Sequence, residues 1–252
     1  PVLSKIIGNG TVSIGTLVYD ELVMTNAHSN VSLDHGLIRL NPVTADLYGG
    51  KEAGTITLDT RPAQPVYTVN LKTDKVDANK LISSVSSMKQ MLFGLLTSNV
   101  NARFTSNSAT SIMQSLDGDL ALNLVNGKLA DVDLLHELAS LGQFMGGTLG
   151  TASKGFTNLV QLSGNFDVRN GVAQTENLKA ALDGGTFAAK GLVNLGSESL
   201  NMHITAVLNK ATSQAVGGTQ IGGFMNTALA NNQGELVMPI IVTGTFQHPQ
   251  VA

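Results

Sequence analysis

A stretch that returns later in the same chain constrains the fold more than composition does. Residues 31–50, VSLDHGLIRLNPVTADLYGG, return in pattern as residues 166–185, FDVRNGVAQTENLKAALDGG, without a gap. Under that shift Gly36 falls on Gly171, Gly49 on Gly184 and Gly50 on Gly185, and Leu47 falls on Leu182. Val31, Leu33, Leu37 and Val43 meet Phe166, Val168, Val172 and Leu178. In the first copy the text reads as a strand, a tight turn at Asp34-His35-Gly36, and a second strand that stops at Gly49-Gly50. Repeats of this kind bury their apolar faces against neighbours, so the chain is expected to be built from meanders laid side by side.

The flanks of both copies extend the pattern. Val12, Ile14, Leu17, Leu22 and Met24 alternate around an acidic turn at Asp20-Glu21, a hairpin leading into the first copy. Ile56 and Leu58 then alternate, and a turn at residues 61–65 feeds the strand text of residues 66–71. The second copy continues in the same order through Phe187, residues 191–195, a turn at 196–198, and Leu200, Met202 and Ile204. The repeat thus reaches about fifty residues, the length of a four- or five-stranded meander.

Between the copies the period changes. Leu81, Ile82, Val85, Met88 and Leu92 mark one face of an amphipathic helix, with Asp77 placed as its N-cap. Leu134, Leu135, Leu138, Leu141 and Met145 repeat that spacing behind Asp133. Strand text follows each, at residues 95–105 and 156–168, and residues 116–124 run into an expected hairpin turn at Asn126-Gly127. Residues 146–155 read as a mobile Gly-rich connection, and residues 210–223 as a loose segment before a short helix near 224–229. The last strand, residues 236–246, contains Pro239 and reads as a sheet edge.

The organisation expected is a single module. It holds two related β units, about 10–75 and 156–208, a helical and strand insert at 76–155, and a closing segment at 209–252. The fold class is α+β and β-dominated: an antiparallel sheet of repeated meanders with a few short amphipathic helices.

Composition excludes several classes of function. Charged residues are 13 % of the chain, the net charge is −3 and there is no Trp, which leaves no basic, aromatic surface for nucleic acid. The absence of cysteine rules out disulfides and thiolate metal sites. No apolar run approaches the roughly 20 residues of a membrane span. The chain begins at Pro1 with no leader, and reads as a fragment of a longer protein.

No constellation points to catalysis. There is no Gly-x-Ser-x-Gly elbow, and the glycines of residues 146–155 lack phosphate-loop spacing. Asp117 and Asp119 flank a turn glycine and read as solvated. His28, Asp34 and His35 are the one grouping of metal-ligand types, but the counterpart of His35 is Asn170, and a turn role explains both. No metal and no cofactor is expected. The apolar rows Leu37, Leu40, Val43 and Leu47, with Val172, Leu178 and Leu182, either line a groove or close on themselves as a core; the residues alone favour a core. Gly36, Gly49, Gly50, Gly171, Gly184 and Gly185 are read as structural turns. Met88, Met91, Met145 and Met225 suit adaptable apolar surfaces and equally suit an ordinary core.

The order of three features resembles the C-terminal region of the AsmA family of bacterial envelope proteins. They are the turn glycine followed by a strand ending in Leu47-Tyr48-Gly49-Gly50, the Val76-Asp77 helix opening with residues 116–127, and the closing segment 239–250. The likeness spans roughly residues 10–250. It implies that the β-dominated sheet of meanders is an elongated, curled antiparallel sheet with an apolar concave face, along which larger members are thought to carry phospholipid acyl chains toward the outer membrane. By that resemblance the chain is a non-enzymatic lipid-handling module with phospholipid or another acyl lipid as partner. It would lie in the periplasm, anchored to the inner membrane in the full-length protein. The competing expectation is a structural or adaptor protein that pairs with an envelope partner through an exposed sheet edge.

Overall fold

Alternating side chains punctuated by two-residue turns fold the chain into one antiparallel sheet. Among the described residues every strand pairs only with its neighbours in sequence. The computed structural model describes residues 2–105, 109–134, 136, 153–217 and 231–251. The strands are β1 (Ile7–Tyr19), β2 (Leu22–Asp34), β3 (Leu37–Leu47), β4 (Gly50–Asp59), β5 (Val66–Asp77), β6 (Leu92–Thr105) and β7 (Asp117–Ala130). They continue as β8 (Phe156–Arg169), β9 (Val172–Leu182), β10 (Gly185–Asn194), β11 (Ser199–Leu208), β12 (Leu236–Thr245) and β13 (Pro249–Val251). Among the described residues the helices are α1 (Ala78–Val85), α2 (Ala109–Gln114) and α3 (Lys210–Gly217). The sheet curls without closing, and β1 and β13 form its edges. This is the β-dominated antiparallel class the alternation implies, with the curl that the resemblance implies.

The repeat is visible in the backbone. β3 and β9 start and stop at corresponding residues, as do β4 and β10. The turn ahead of each uses a left-handed pair, His35 (φ 47) with Gly36 (φ 88) and Asn170 (φ 48) with Gly171 (φ 75). His35 therefore holds the turn position that Asn170 holds. Both copies also carry the same bulge, between Leu40 and Val43 in one and between Thr175 and Leu178 in the other.

The paired glycines divide their work differently from the expectation. Tyr48 (φ 44) and Gly49 (φ 85) make the β3–β4 turn, while Gly50 opens β4 and Gly185 opens β10. A Cβ on Gly50 would lie 2.4 Å from the Asp74 carbonyl oxygen, and one on Gly185 2.3 Å from that of Val207. The second glycine of each pair is needed for a close strand approach.

Three local expectations change. β7 runs straight through Asn126-Gly127, where Asn126 (φ 53) makes a bulge and a Cβ on Gly127 would meet Leu124 Cδ2 at 2.5 Å. α1 ends at Val85 because Ser86 turns back on it, its N–H and hydroxyl both donating to the Ile82 carbonyl (3.0 and 2.9 Å), so Met88 and Leu92 leave the helix. Residues 210–217 are helical as α3. Asp77 and Asp133 do act as caps, accepting from the Lys80 and His136 N–H groups at 3.1 Å. Leu135, Leu138, Leu141 and Met145 lie outside the described residues, as do residues 146–152 and the short helix expected near 224–229.

The expected edge at residues 236–246 is β12, which β13 covers only at Val242–Gly244. Pro239, opposite Thr205 on β11, sits in the half that β13 leaves unpaired, where a strand proline is tolerated.

Gly54 tests the geometry. Its φ is 157°, and a Cβ there would come within 1.9 Å of the Asn70 carbonyl oxygen, whereas nothing lies within 4 Å of one on Gly15. Gly54→Ala is expected to destabilise the fold by about 1–3 kcal/mol, lowering Tm by roughly 2–4 °C per kcal/mol. Gly15→Ala should stay within about 0.5 kcal/mol of the parent in the same thermal melt.

Candidate functional site

Bending one apolar face inward gives the first unit, together with the insert that follows it, a cavity of about 650 Å³. Its walls come from β1 through β8, and α1 lies against it with Leu81, Ile82 and Val85 facing in. α1 is held there by its ends. Asp77 donates its N–H to the Tyr48 carbonyl in the β3–β4 turn (3.2 Å) and caps the helix. After the helix, Ser87 donates to Glu198 in the β10–β11 turn, and Lys89 pairs with Glu21 in the β1–β2 turn. The Tyr48 hydroxyl accepts from the Val23 N–H and donates to the Glu21 carbonyl, both at 3.0 Å, which ties the two turns together at that end.

Cross-strand register arranges the cavity floor in rows. One apolar row runs Val43, Gly54, Leu71, Val100 and Leu120 across β3 to β7. Another brings Val76, Leu96, Leu124 and Leu162 together across β5 to β8. Between them lies a row of different chemistry: Ala45, Glu52, Thr73 and Ser98, paired in sequence across β3 to β6. Glu52 is 8 % exposed, Thr73 5 % and Ser98 6 %. Glu52 Oε2 accepts a hydrogen bond from the Thr73 hydroxyl at 2.8 Å, and Glu52 Oε1 is buried with no partner. Burial pushes the Glu52 carboxyl above its ordinary range, against the opposing effect of the Thr73 hydrogen bond.

The second unit fills the same position with hydrocarbon. Phe187 stands where Glu52 does, paired with Ala180 as Glu52 is with Ala45, and its row continues through Ala206 and Met238. These side chains join Leu159, Leu182, Leu208, Leu236 and Ile240 in a packed cluster that also takes in Ala78 at the start of α1. Val168, Ala173, Val193 and Met202 form a second packed cluster beside it.

The seven candidate groove residues therefore separate. Leu40, Val43 and Leu47 line the cavity; Leu37, at the start of the same strand, does not. Leu182 is buried in the first packed cluster and Leu178 packs against the second. Val172 opens β9, half-buried and away from the cavity. Glu52, Leu71 and Leu122 line the cavity without having been singled out from the sequence. The signal for Glu52 was present: the repeat aligns it with Phe187, a carboxylate on a core position. His28 lines the cavity with Nδ1 2.9 Å from the Ser13 hydroxyl, and His35 contacts Asp34 at 2.6 Å on the surface. Among the described residues no group of three or more such side chains is placed to hold a metal ion.

A family profile for the AsmA family matches residues 8–159, from the start of β1 into β8. The match covers more than half of the chain and contains the cavity walls almost entire. The chain belongs to the AsmA family. No curated protein and no solved structure matches it. No described helix is long and apolar enough to cross a membrane. In this AsmA-family chain the matched region ends where the packed second unit begins.

The raised Glu52 carboxyl gives a pH signature. Its folded pKa lies above the unfolded value, so the native state holds the proton more tightly. Stability then falls as pH rises from the ordinary carboxylate range through the folded pKa, and stays lower above it. Glu52→Gln removes this dependence. In thermal melts the variant should gain on the parent as pH rises through that window; a constant difference would show that Glu52 titrates as an ordinary carboxylate.

Proposed function

We propose that this AsmA-family chain is a non-enzymatic lipid-handling module of the bacterial cell envelope, binding a phospholipid acyl chain in the cavity of its first unit. The observation that supports this most directly is the cavity itself: about 650 Å³, walled by Leu40, Val43, Leu71, Leu122 and their neighbours. It falls within the roughly 300–1,000 Å³ of small-molecule sites. Each acyl CH₂ buried there contributes about 0.8 kcal/mol, so a chain of ordinary length offsets the cost of ordering it. Family membership supports the setting: the periplasm, with an inner-membrane anchor in the full-length protein, and a role in lipid supply to the outer membrane or in its assembly.

The test is native mass spectrometry of the chain purified from bacterial membranes, followed by lipid extraction. Phospholipid bound at about one per chain is expected. Leu40→Lys, which sets a charge in the cavity wall, should cut occupancy by about tenfold or more while the melt stays cooperative. Leu182→Lys should instead unfold the second unit, since it buries a charge in a packed cluster. An apo mass under all mild conditions would sink the proposal.

One observation favours the second reading, an envelope module that pairs through a sheet edge. β1 is a 13-residue edge strand carrying neither charge nor proline, the features that usually protect such edges. Its Val12, Ile14 and Leu17 face the cavity, so an added strand would extend the same groove. In isolation the available strand is β1 of a second copy. Sedimentation should show a concentration-dependent dimer that Gly8→Lys with Gly10→Lys abolishes, both positions having open space around them. A monomer at all concentrations counts against edge pairing.

A further inference from the structure

We propose that the cavity contains a head-group subsite at Glu52 that receives the primary ammonium of an amine-bearing amphiphile, its alkyl chain lying along the flanking apolar rows. This rests on the lipid-binding reading and specifies the ligand within it.

Three observations carry the assignment. Glu52 is 8 % exposed and faces the cavity, yet only one of its oxygens is engaged: Oε2 accepts from Thr73, and Oε1 is buried with no partner. A buried carboxylate is costly unless a cation or several donors meet it. Among the described residues no Lys or Arg lines the cavity, and the other titratable group they place in its wall, His28, is engaged with Ser13. The complementary group is therefore one a ligand would bring.

The fold does not demand a carboxylate here. The corresponding strand of the second unit places Phe187 at this position, 7 % exposed, with Ala206 and Met238 in the places of Thr73 and Ser98. The same backbone thus accepts an entirely apolar row, and packs tightly when it has one. The polar row belongs to the unit that has the cavity.

The chemistry of the row selects the head group. An ammonium presents three donors and no acceptor. One meets Glu52 Oε1 as a charge-assisted bond, and the Thr73 and Ser98 hydroxyl oxygens next in the row are suited to accept the others. A carboxylate head would place like charges together, and a hydroxyl head would supply one donor without the charge. On either side Leu71 with Val100 and Leu96 with Leu124 provide hydrocarbon for the chain.

Isothermal titration of the full chain with dodecylamine, dodecanol and dodecanoate, below their micellar concentrations, separates the outcomes. The amine is expected to bind at least about tenfold more tightly than the alcohol, and the carboxylate most weakly. Glu52→Gln keeps the shape and should bring amine and alcohol to within about threefold. Glu52→Phe, the residue of the second unit, should do the same, and circular dichroism melts check that both variants remain folded. Equal affinity for amine and alcohol in the parent chain, or an amine preference that survives Glu52→Gln, overturns the head-group subsite while leaving lipid binding intact. Binding of none of the three overturns both.

Discussion

An open sheet with one apolar face cannot leave that face in water, and the structure is arranged around how the face is covered. A barrel would close it and a sandwich would pair it with a second sheet. Here, among the described residues, each of the 13 strands pairs only with its sequence neighbours, and the sheet curls without meeting its own edge. Side chains must then do what closure does elsewhere. In the second unit they do, with Phe187, Met238 and Ile240 packed against Leu159 and Leu182. In the first unit Leu40, Val43 and Leu71, with Leu122 from the insert, stand around a cavity instead.

The internal repeat makes the contrast a controlled one. Both units share the bounds of β3 and β9 and of β4 and β10, the left-handed turn ahead of β3 and β9, and the bulge within those strands. What differs is side-chain volume and polarity on the concave face. Large apolar groups at Phe187 and Met238 fill the curl; Glu52 and Ser98 at the matching places leave it open and set a carboxylate in its floor. Mutual burial of these side chains stabilises the second unit, while the first keeps its apolar wall around a cavity. α1 joins the two: Ala78 belongs to the packed cluster, while Leu81 and Val85 face the cavity.

Much of the architecture was legible in the sequence because strand alternation and turn glycines act locally. The β1–β2 hairpin, the shared turn at His35 and Asn170, and the Asp77 cap all follow from nearest neighbours. The failures have non-local causes. Asn126-Gly127 carries hairpin chemistry, but β6 and β8 pair with β7 on both sides of it and hold the strand straight, so the pair becomes a bulge. Leu92 keeps helical spacing with Leu81, yet Ser86 ends the helix and pairing with Leu129 draws Leu92 into β6. For the site, alternation indicated which face is apolar but not how tightly each unit curls. Leu47 and Leu182 are equivalent in sequence and differ only in what stands opposite them. Glu52 was hidden by its surroundings, since Lys51-Glu52-Ala53-Gly54 reads as a polar strand start until it is set beside its counterpart in the second unit.

Crosslinking with a phospholipid that carries a photoreactive group on its acyl chain, with adducts mapped by peptide mass spectrometry, tests whether the cavity is open to lipid while the packed repeat is closed to it. Adducts are expected on cavity-wall peptides containing Val43, Leu71 and Leu122, and none on those containing Leu178, Phe187 or Met202. Equal labelling of both units, or labelling confined to the second, would contradict this.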